Sequence, residues 1–243
     1  MYTILTVFNY PRYFFVPGLF SMALFRLPLL WQKKHDFIKL MGTGINGSFD
    51  IHPDWQQWTI FSVSSHPPEF FDNSDQDEML KGLYGTFIAR WCRWWKCECC
   101  FMICEVKEGH GTWNGKTFGS RGSKSEDHEG MMAVLTRATI RLSKLKAFWK
   151  NVGPVNAKMK GTPGLLYSIG IGEVPFTRQS TFSVWQSKKQ MQSFAYSMHD
   201  HREVIAKTRK EKWYSEEMFL RLKPLYVKGT IKGRQPFSIS SVN

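Results

Sequence analysis

Apolar and polar residues alternate in short runs along most of the chain, and stretches with helical spacing separate these runs. Thr3 to Asn9 reads as a strand, and an apolar helix follows from about Gly18 to Gln32. Strands are predicted at Phe37 to Thr43 and Trp58 to Ser64, a helix from about Asp75 to Arg90, and a fourth strand at Cys99 to Lys107. The order is βαββαβ. A polar stretch rich in Gly, Ser and charge, His110 to Gly130, reads as a linker. The order then repeats. Strand Met132 to Arg141 leads to a helix at Leu142 to Asn151, and a loop carries Pro154, Gly161, Pro163 and Gly164. Strands Leu165 to Glu173 and Gln179 to Trp185, a long helix from about Ser187 to Lys212, and strand Glu217 to Val227 complete the second set.

Short segments echo between the halves in the same order. Ile4-Leu5-Thr6 matches Val134-Leu135-Thr136, Gly42-Thr43-Gly44 matches Gly170-Ile171-Gly172, and Phe61-Ser62-Val63 matches Phe182-Ser183-Val184. The expected fold is α+β: a duplicated ferredoxin-like βαββαβ unit with the two sheets packed face to face. Residues 1–109 form the first half, 110–130 the linker and 131–243 the second half. On Gln179 to Trp185, Phe182 and Val184 are expected to face the helices, and Gln179, Thr181, Ser183 and Trp185 to line a pocket. Both Gly-x-Gly pairs read as strand ends, since neither continues into a phosphate loop.

Composition narrows the class. With 42% hydrophobic and 22% charged residues the 243-residue chain is an ordinary globular protein. Its 33 Lys+Arg against 20 Asp+Glu, a net charge of +13, predicts attraction to anions such as acidic lipid, an acidic redox partner or nucleic acid. No aromatic-bearing RNA-binding run is present, so nucleic acid is not expected as a partner. Aromatic residues reach 15%, which suits a flat, apolar ligand or an aromatic-rich core. Tyr13 to Trp31 is the one membrane-like stretch, and Pro17, Arg26 and Pro28 interrupt it. It reads as a surface or core helix rather than a span. The five cysteines all fall between Cys92 and Cys104 with no secretory leader before them. They are expected as free thiols in a reducing compartment, because C-x4-C-x-C-C-x3-C lacks a C-x2-C knuckle.

The chemistry-bearing candidates lie in the second half. Met191, Phe194, Met198, His201, Ile205 and Thr208 share one helical face, which puts His201 on a buried stripe. His199 falls about 200° away, toward solvent. A buried imidazole there fits two roles, a core histidine bonded to a carbonyl or an iron ligand in an apolar pocket. Arg137 points to the face opposite Thr136 and Ala138, where it would hold a carboxylate or pair with a nearby Glu. His52, His66, His110 and His128 read as solvated loop residues.

At these residues the chain resembles the spheroidene monooxygenase family of carotenoid ketolases. The resemblance runs through Leu135-Thr136-Arg137-Ala138-Thr139-Ile140-Arg141, Phe148-Trp149, Gly170-Ile171-Gly172-Glu173, Gln179 to Trp185, Phe194-Ala195-Tyr196, His201 and Trp213 to Phe219. Leu40 to Gly44, Trp55 to Ser64 and His110 to Gly115 match more loosely, and Cys92 to Cys104 is not part of the pattern. The resemblance implies a haem-dependent, O2-using enzyme of the dimeric α/β-barrel superfamily. Such an enzyme hydroxylates an allylic carbon of an acyclic carotenoid twice, and the geminal diol loses water to give a ketone. It implies His201 as axial haem ligand, with His199 as the alternative. Met198, Trp185 and Arg137 would lie against the haem, Arg137 and Gln179 would steady bound O2 or a propionate, and Phe182 would be a pocket wall. An external carrier such as ferredoxin would supply electrons. The carotenoid lives in the bilayer, so the expected location is cytoplasmic, peripheral at the inner face of the membrane, with a homo-oligomer left open. A haem- or pigment-binding protein of the same fold without turnover is the alternative reading.

Overall fold

The structure, a computed structural model, describes residues 1–68, 75–119, 130–159, 161–197 and 211–239. The elements are β1 (Tyr2–Asn9), α1 (Phe15–Leu24), α2 (Arg26–Leu30), β2 (Phe37–Gly44), β3 (Pro53–Ser64), α3 (Gln76–Tyr84), α4 (Thr86–Trp94) and β4 (Glu98–Gly111). There follow β5 (Met132–Ile140), α5 (Leu145–Met159), β6 (Leu165–Val174), β7 (Arg178–Trp185), α6 (Lys188–Ser197) and β8 (Tyr214–Gly229). The fold is α+β, and its residues cluster into two compact units. One holds Met1–Gly42, Asp54–Glu105 and Leu225–Ser238; the other includes Thr43–Pro53 and Val106–Pro224.

In the first unit the strands lie in the order β2-β3-β1-β4. β1 pairs antiparallel with β3 and β4 on its two sides, with Thr3 opposite both Val63 and Cys104. Alternation sends Ile4 and Phe8 of β1, Trp58 and Ile60 of β3, and Cys99, Phe101 and Ile103 of β4 to one face. There they bury Phe25, Leu80, Tyr84, Ile88 and Cys92 of the helical segments. Phe8 stacks on Trp58 at 4.4 Å between centroids. The predicted helix Asp75 to Arg90 is two helices. Asp75 caps α3 by accepting the Glu78 N–H at 2.8 Å, and Gly85, at φ +95°, breaks the run before α4.

The second unit repeats the strand order as β6-β7-β5-β8. β5 is central, with Arg137 opposite Ser180 of β7 and Met218 of β8. Val134 and Trp185 face Met191 and Phe194 of α6. The face expectation for β7 is therefore inverted. Trp185 and Ser183 share the helix-covered side, where Trp185 Nε1 donates to Ser183 Oγ at 2.9 Å. Phe182 and Val184 are buried on the other side. Alternation alone separates the two faces and does not say which one the helices cover.

Three further boundaries differ. β4 runs through His110 to Gly111, so the polar stretch from His110 opens as strand and tight turn. α5 continues past Asn151 to Met159, through Pro154, although proline has no N–H to give to the residue-150 carbonyl. Gly170 and Gly172 lie inside β6 rather than at its end. The predicted helix from Ser187 is seen as α6 to Ser197; Met198, His199 and His201 lie outside the described residues.

A turn recurs in the two units, and the sequence reading missed it. Gly111-Thr112-Trp113-Asn114-Gly115-Lys116 and Gly229-Thr230-Ile231-Lys232-Gly233-Arg234 each close with two left-handed residues, Asn114 and Gly115 in one, Lys232 and Gly233 in the other. That is the type I′ geometry of tight hairpins. Each turn holds a glutamate. The Thr112 hydroxyl and Gly115 N–H donate to Glu216; the Thr230 hydroxyl and Gly233 N–H donate to Glu98. Each turn opens on a glycine that no other residue can replace. At Gly111, also in the left-handed region, an added Cβ would lie 2.1 Å from the Glu217 carbonyl oxygen.

Candidate functional site

The helix-covered face of the second sheet carries an apolar cluster. Val134, Trp185 and Met191 form its core, and Met159, Leu165, Phe194 and Phe219 pack on it. Thr136 is exposed although it sits on the central strand, directly between Thr181 of β7 and Phe219 of β8. His110 stacks on Phe219 at 5.0 Å, so it borders this cluster and is not a loop residue. An aromatic and aliphatic cluster thus lies beside an exposed threonine of the central strand.

The opposite face holds an ion-pair node. Arg137 is fully buried; its Nη1 lies 2.5 Å from Glu216 Oε2 and its Nη2 3.2 Å from Glu173 Oε1. Its Nε also donates to Glu173, at 3.3 Å. Trp113 Nε1 donates to the same Glu173 oxygen at 2.7 Å, and the guanidinium sits 5.5 Å from the Trp113 ring centroid. Burial raises the Glu216 carboxyl. The Gly115 N–H, the guanidinium, the Thr112 hydroxyl and the Asn114 N–H outweigh it and hold the pKa at about 2. A depressed carboxyl contributes stability that is complete above its unfolded value and lost as pH falls through the folded one. Glu216→Gln is therefore expected to flatten the acid limb of unfolding between about pH 4.5 and 2 while leaving its slope near neutrality unchanged, as circular dichroism during acid titration would read.

The sequence candidates separate on this geometry. Arg137 does point away from Thr136 and Ala138, and its partners are two glutamates. Gln179 lies opposite Ala138, on the other face from Arg137, and its Nε2 donates to the Val174 carbonyl at 3.2 Å. The two proposed catalytic side chains are thus not brought together. Trp185 stands in the apolar cluster; Phe182 does not. Sequence reasoning missed Glu173, Glu216 and Trp113 as a group. The signal was present, because all three and Arg137 fall in separate stretches that carried the family resemblance. The five cysteines are free and buried.

No protein-family model matches the chain. A spheroidene monooxygenase of Rubrivivax gelatinosus is 32% identical over 210 residues, covering 86% of this chain and 76% of that protein. The spheroidene monooxygenase of Rhodobacter capsulatus is 29% identical over 236 residues, covering 96% of this chain and 94% of that one. Among solved structures, an aldoxime dehydratase in complex with butyraldoxime aligns with a TM-score of 0.55 at 8% identity, over 92% of this chain and 79% of its own, a likeness of fold alone. The protein is a monooxygenase that uses O2. The chain belongs to the spheroidene monooxygenase family.

Proposed function

We propose that this protein is a haem-dependent monooxygenase that oxidises an allylic carbon of an acyclic carotenoid twice to a ketone. The observation that carries the reading is the similarity to enzymes named for spheroidene oxygenation, which spans 96% of this chain. Each round places one oxygen atom of O2 in a C–H bond and reduces the other to water with two electrons from an external carrier and two protons from solvent. The resulting geminal diol loses water. The test is incubation of the purified protein with an acyclic carotenoid, a reductant and O2. Conversion to ketone in air and none under argon is expected; a bound carotenoid that stays unchanged in air would instead favour a pigment-binding protein.

The residues fit a haem on the helix-covered face. The exposed Thr136 and the cluster of Trp185, Met191, Phe194 and Phe219 support this by offering apolar contact there. His201 would bind the iron, and Met198 would pack near it. When bound, the haem supplies the activation of O2. The chain's own part is to hold a polyene by hydrocarbon contact with these side chains and to keep water from it. Arg137 lies on the other face, committed to Glu173 and Glu216, and serves as a positioning residue for β5, β6 and β8.

Both units are read as copies of one ferredoxin-like βαββαβ ancestor. The shared strand order and the recurring glutamate-holding turn support this. The copies differ at the site: Arg137 of Leu135-Thr136-Arg137 answers Val7 of Leu5-Thr6-Val7.

Substrate access follows from the first helices. Arg12–Leu30 is apolar and long enough to cross a membrane by length and composition. Phe20, Leu27, Leu30 and Trp31 are 59–81% exposed, and Arg26, Lys33 and Lys34 lie among and beside them. We assign this surface to peripheral contact with an acidic bilayer, where each basic residue contributes about 1 kcal/mol. High salt is expected to release most of the protein from membranes; release by detergent alone would mean the segment is inserted.

A further inference from the structure

The first unit contains a group of side chains for which monooxygenation has no use. Cys92 near the end of α4, Cys97 in the following turn and Cys99 at the start of β4 bring their sulfurs within 4.8 Å of one another. Cys97 Sγ and Cys99 Sγ are 3.9 Å apart. All three residues are at most 3% exposed. The backbone that presents them is clamped. The Cys97 N–H donates to the Cys92 carbonyl at 2.8 Å, closing the turn. The Gln76 side chain donates to the Cys97 carbonyl and accepts the Cys99 N–H, each at 2.8 Å. Lys96 takes a left-handed conformation, φ +49°, to make the turn. A fourth group points to the same place. The Tyr10 hydroxyl is fully buried beside the Cys92 and Cys97 thiols, close enough to interact with both.

We propose that Cys92, Cys97 and Cys99, with the Tyr10 hydroxyl oxygen as fourth donor, form a closed zinc site in the core of the first unit. Tetrahedral zinc with bonds to sulfur of about 2.3 Å needs sulfurs about 3.8 Å apart. The Cys97–Cys99 pair already has that separation, and the third sulfur needs to move by less than about 1 Å. The three sulfurs mark a soft cation, and the oxygen donor favours Zn2+ over Cu+, which takes thiolates alone. Four protein donors leave no open position, so the ion is structural. Binding is balanced by the loss of three protons: three thiols become zinc thiolates, and the protons pass to solvent while Tyr10 keeps its own. The spacing C-x4-C-x-C hid the site because the knuckle is built from a helix end, a turn and a strand start. Cys100 and Cys104 alternate to the other face of β4 and take no part.

The test uses the full chain, purified under reducing conditions, with metal content measured and the protein then reconstituted anaerobically with Co2+. One zinc per chain is expected, and Co2+ should give the intense visible bands of a tetrahedral thiolate site. Cys92→Ala and Cys97→Ala should each abolish those bands, whereas Cys100→Ala and Cys104→Ala should keep them. Tyr10→Phe preserves the core volume and should shift the bands without abolishing them, which keeps the test open where a cysteine variant does not fold. Absence of metal after reconstitution with excess Zn2+ and Co2+ would overturn the proposal. So would binding of Cu+ alone, a disulfide among the three sulfurs seen as a loss of two hydrogens by mass, or bands that survive in every cysteine variant. Zinc and haem iron are counted separately, so the outcome does not depend on the functional reading.

Discussion

Replacing Arg137 by Met is expected to destabilise the protein by about 3–5 kcal/mol, a fall in Tm on the order of 10 °C. The guanidinium is completely buried between Glu173 and Glu216, which are 7% and 21% exposed. Removing it leaves two carboxylates facing one another across the space it filled. Glu216 keeps the Thr112 hydroxyl and the Gly115 N–H and is the more exposed of the two, so the more deeply buried Glu173 carries most of the penalty. Adding Glu173→Gln to Arg137→Met should therefore recover a large part of the loss, a coupling that thermal unfolding of the four proteins of the cycle would measure. A loss below about 1 kcal/mol would mean that the node is solvated and of little weight. Below its melting transition the Arg137→Met protein should still turn over, because Arg137 is on the face away from the apolar cluster. A folded variant without turnover would place the guanidinium at the substrate.

The second large effect is expected at His201. If His201 binds the haem iron, His201→Ala should purify without a Soret band and lose roughly 10³-fold or more in turnover, since an activating metal contributes several kcal/mol to the barrier. His199→Ala should keep both if the helical spacing expected from the sequence holds, which turns it about 200° from His201. Truncating a histidine to alanine also removes any packing it makes, so far-ultraviolet circular dichroism must show an intact fold. Added imidazole should then restore a haem spectrum to His201→Ala. An unchanged Soret band in His201→Ala together with its loss in His199→Ala would transfer the ligand to His199.

Much of the sheet was legible because strands buried on both faces still alternate in side-chain size and in partners. Val134 and Trp185 on one side, Leu135 and Phe182 on the other, sort by parity. What parity cannot carry is which face meets a helix, and Phe182 and Trp185 were exchanged for that reason. Helix ends were less legible. Gly85 breaks one predicted helix through its backbone conformation, while Pro154, an expected stop, lies inside α5. The node around Arg137 needed Glu173, Glu216 and Trp113 from three distant segments, and only tertiary pairing brings these together. The polarity of Arg137 was readable on its strand; its partners were not. The recurring Gly-Thr-x-x-Gly turn was present in plain sequence, and its meaning appears only once each copy is seen to hold a glutamate.

Isotope labelling distinguishes insertion of oxygen from O2 into an acyclic carotenoid from every other source of the product's oxygen. Purified protein, reductant and an acyclic carotenoid are incubated under ¹⁸O2 in ordinary water, and the product is analysed by mass spectrometry before carbonyl exchange proceeds. A keto product carrying ¹⁸O is expected, because both hydroxyls of the geminal diol come from O2 and the label stays whichever one leaves. A keto product carrying only ¹⁶O under those conditions, or no oxidised carotenoid at all, would contradict it.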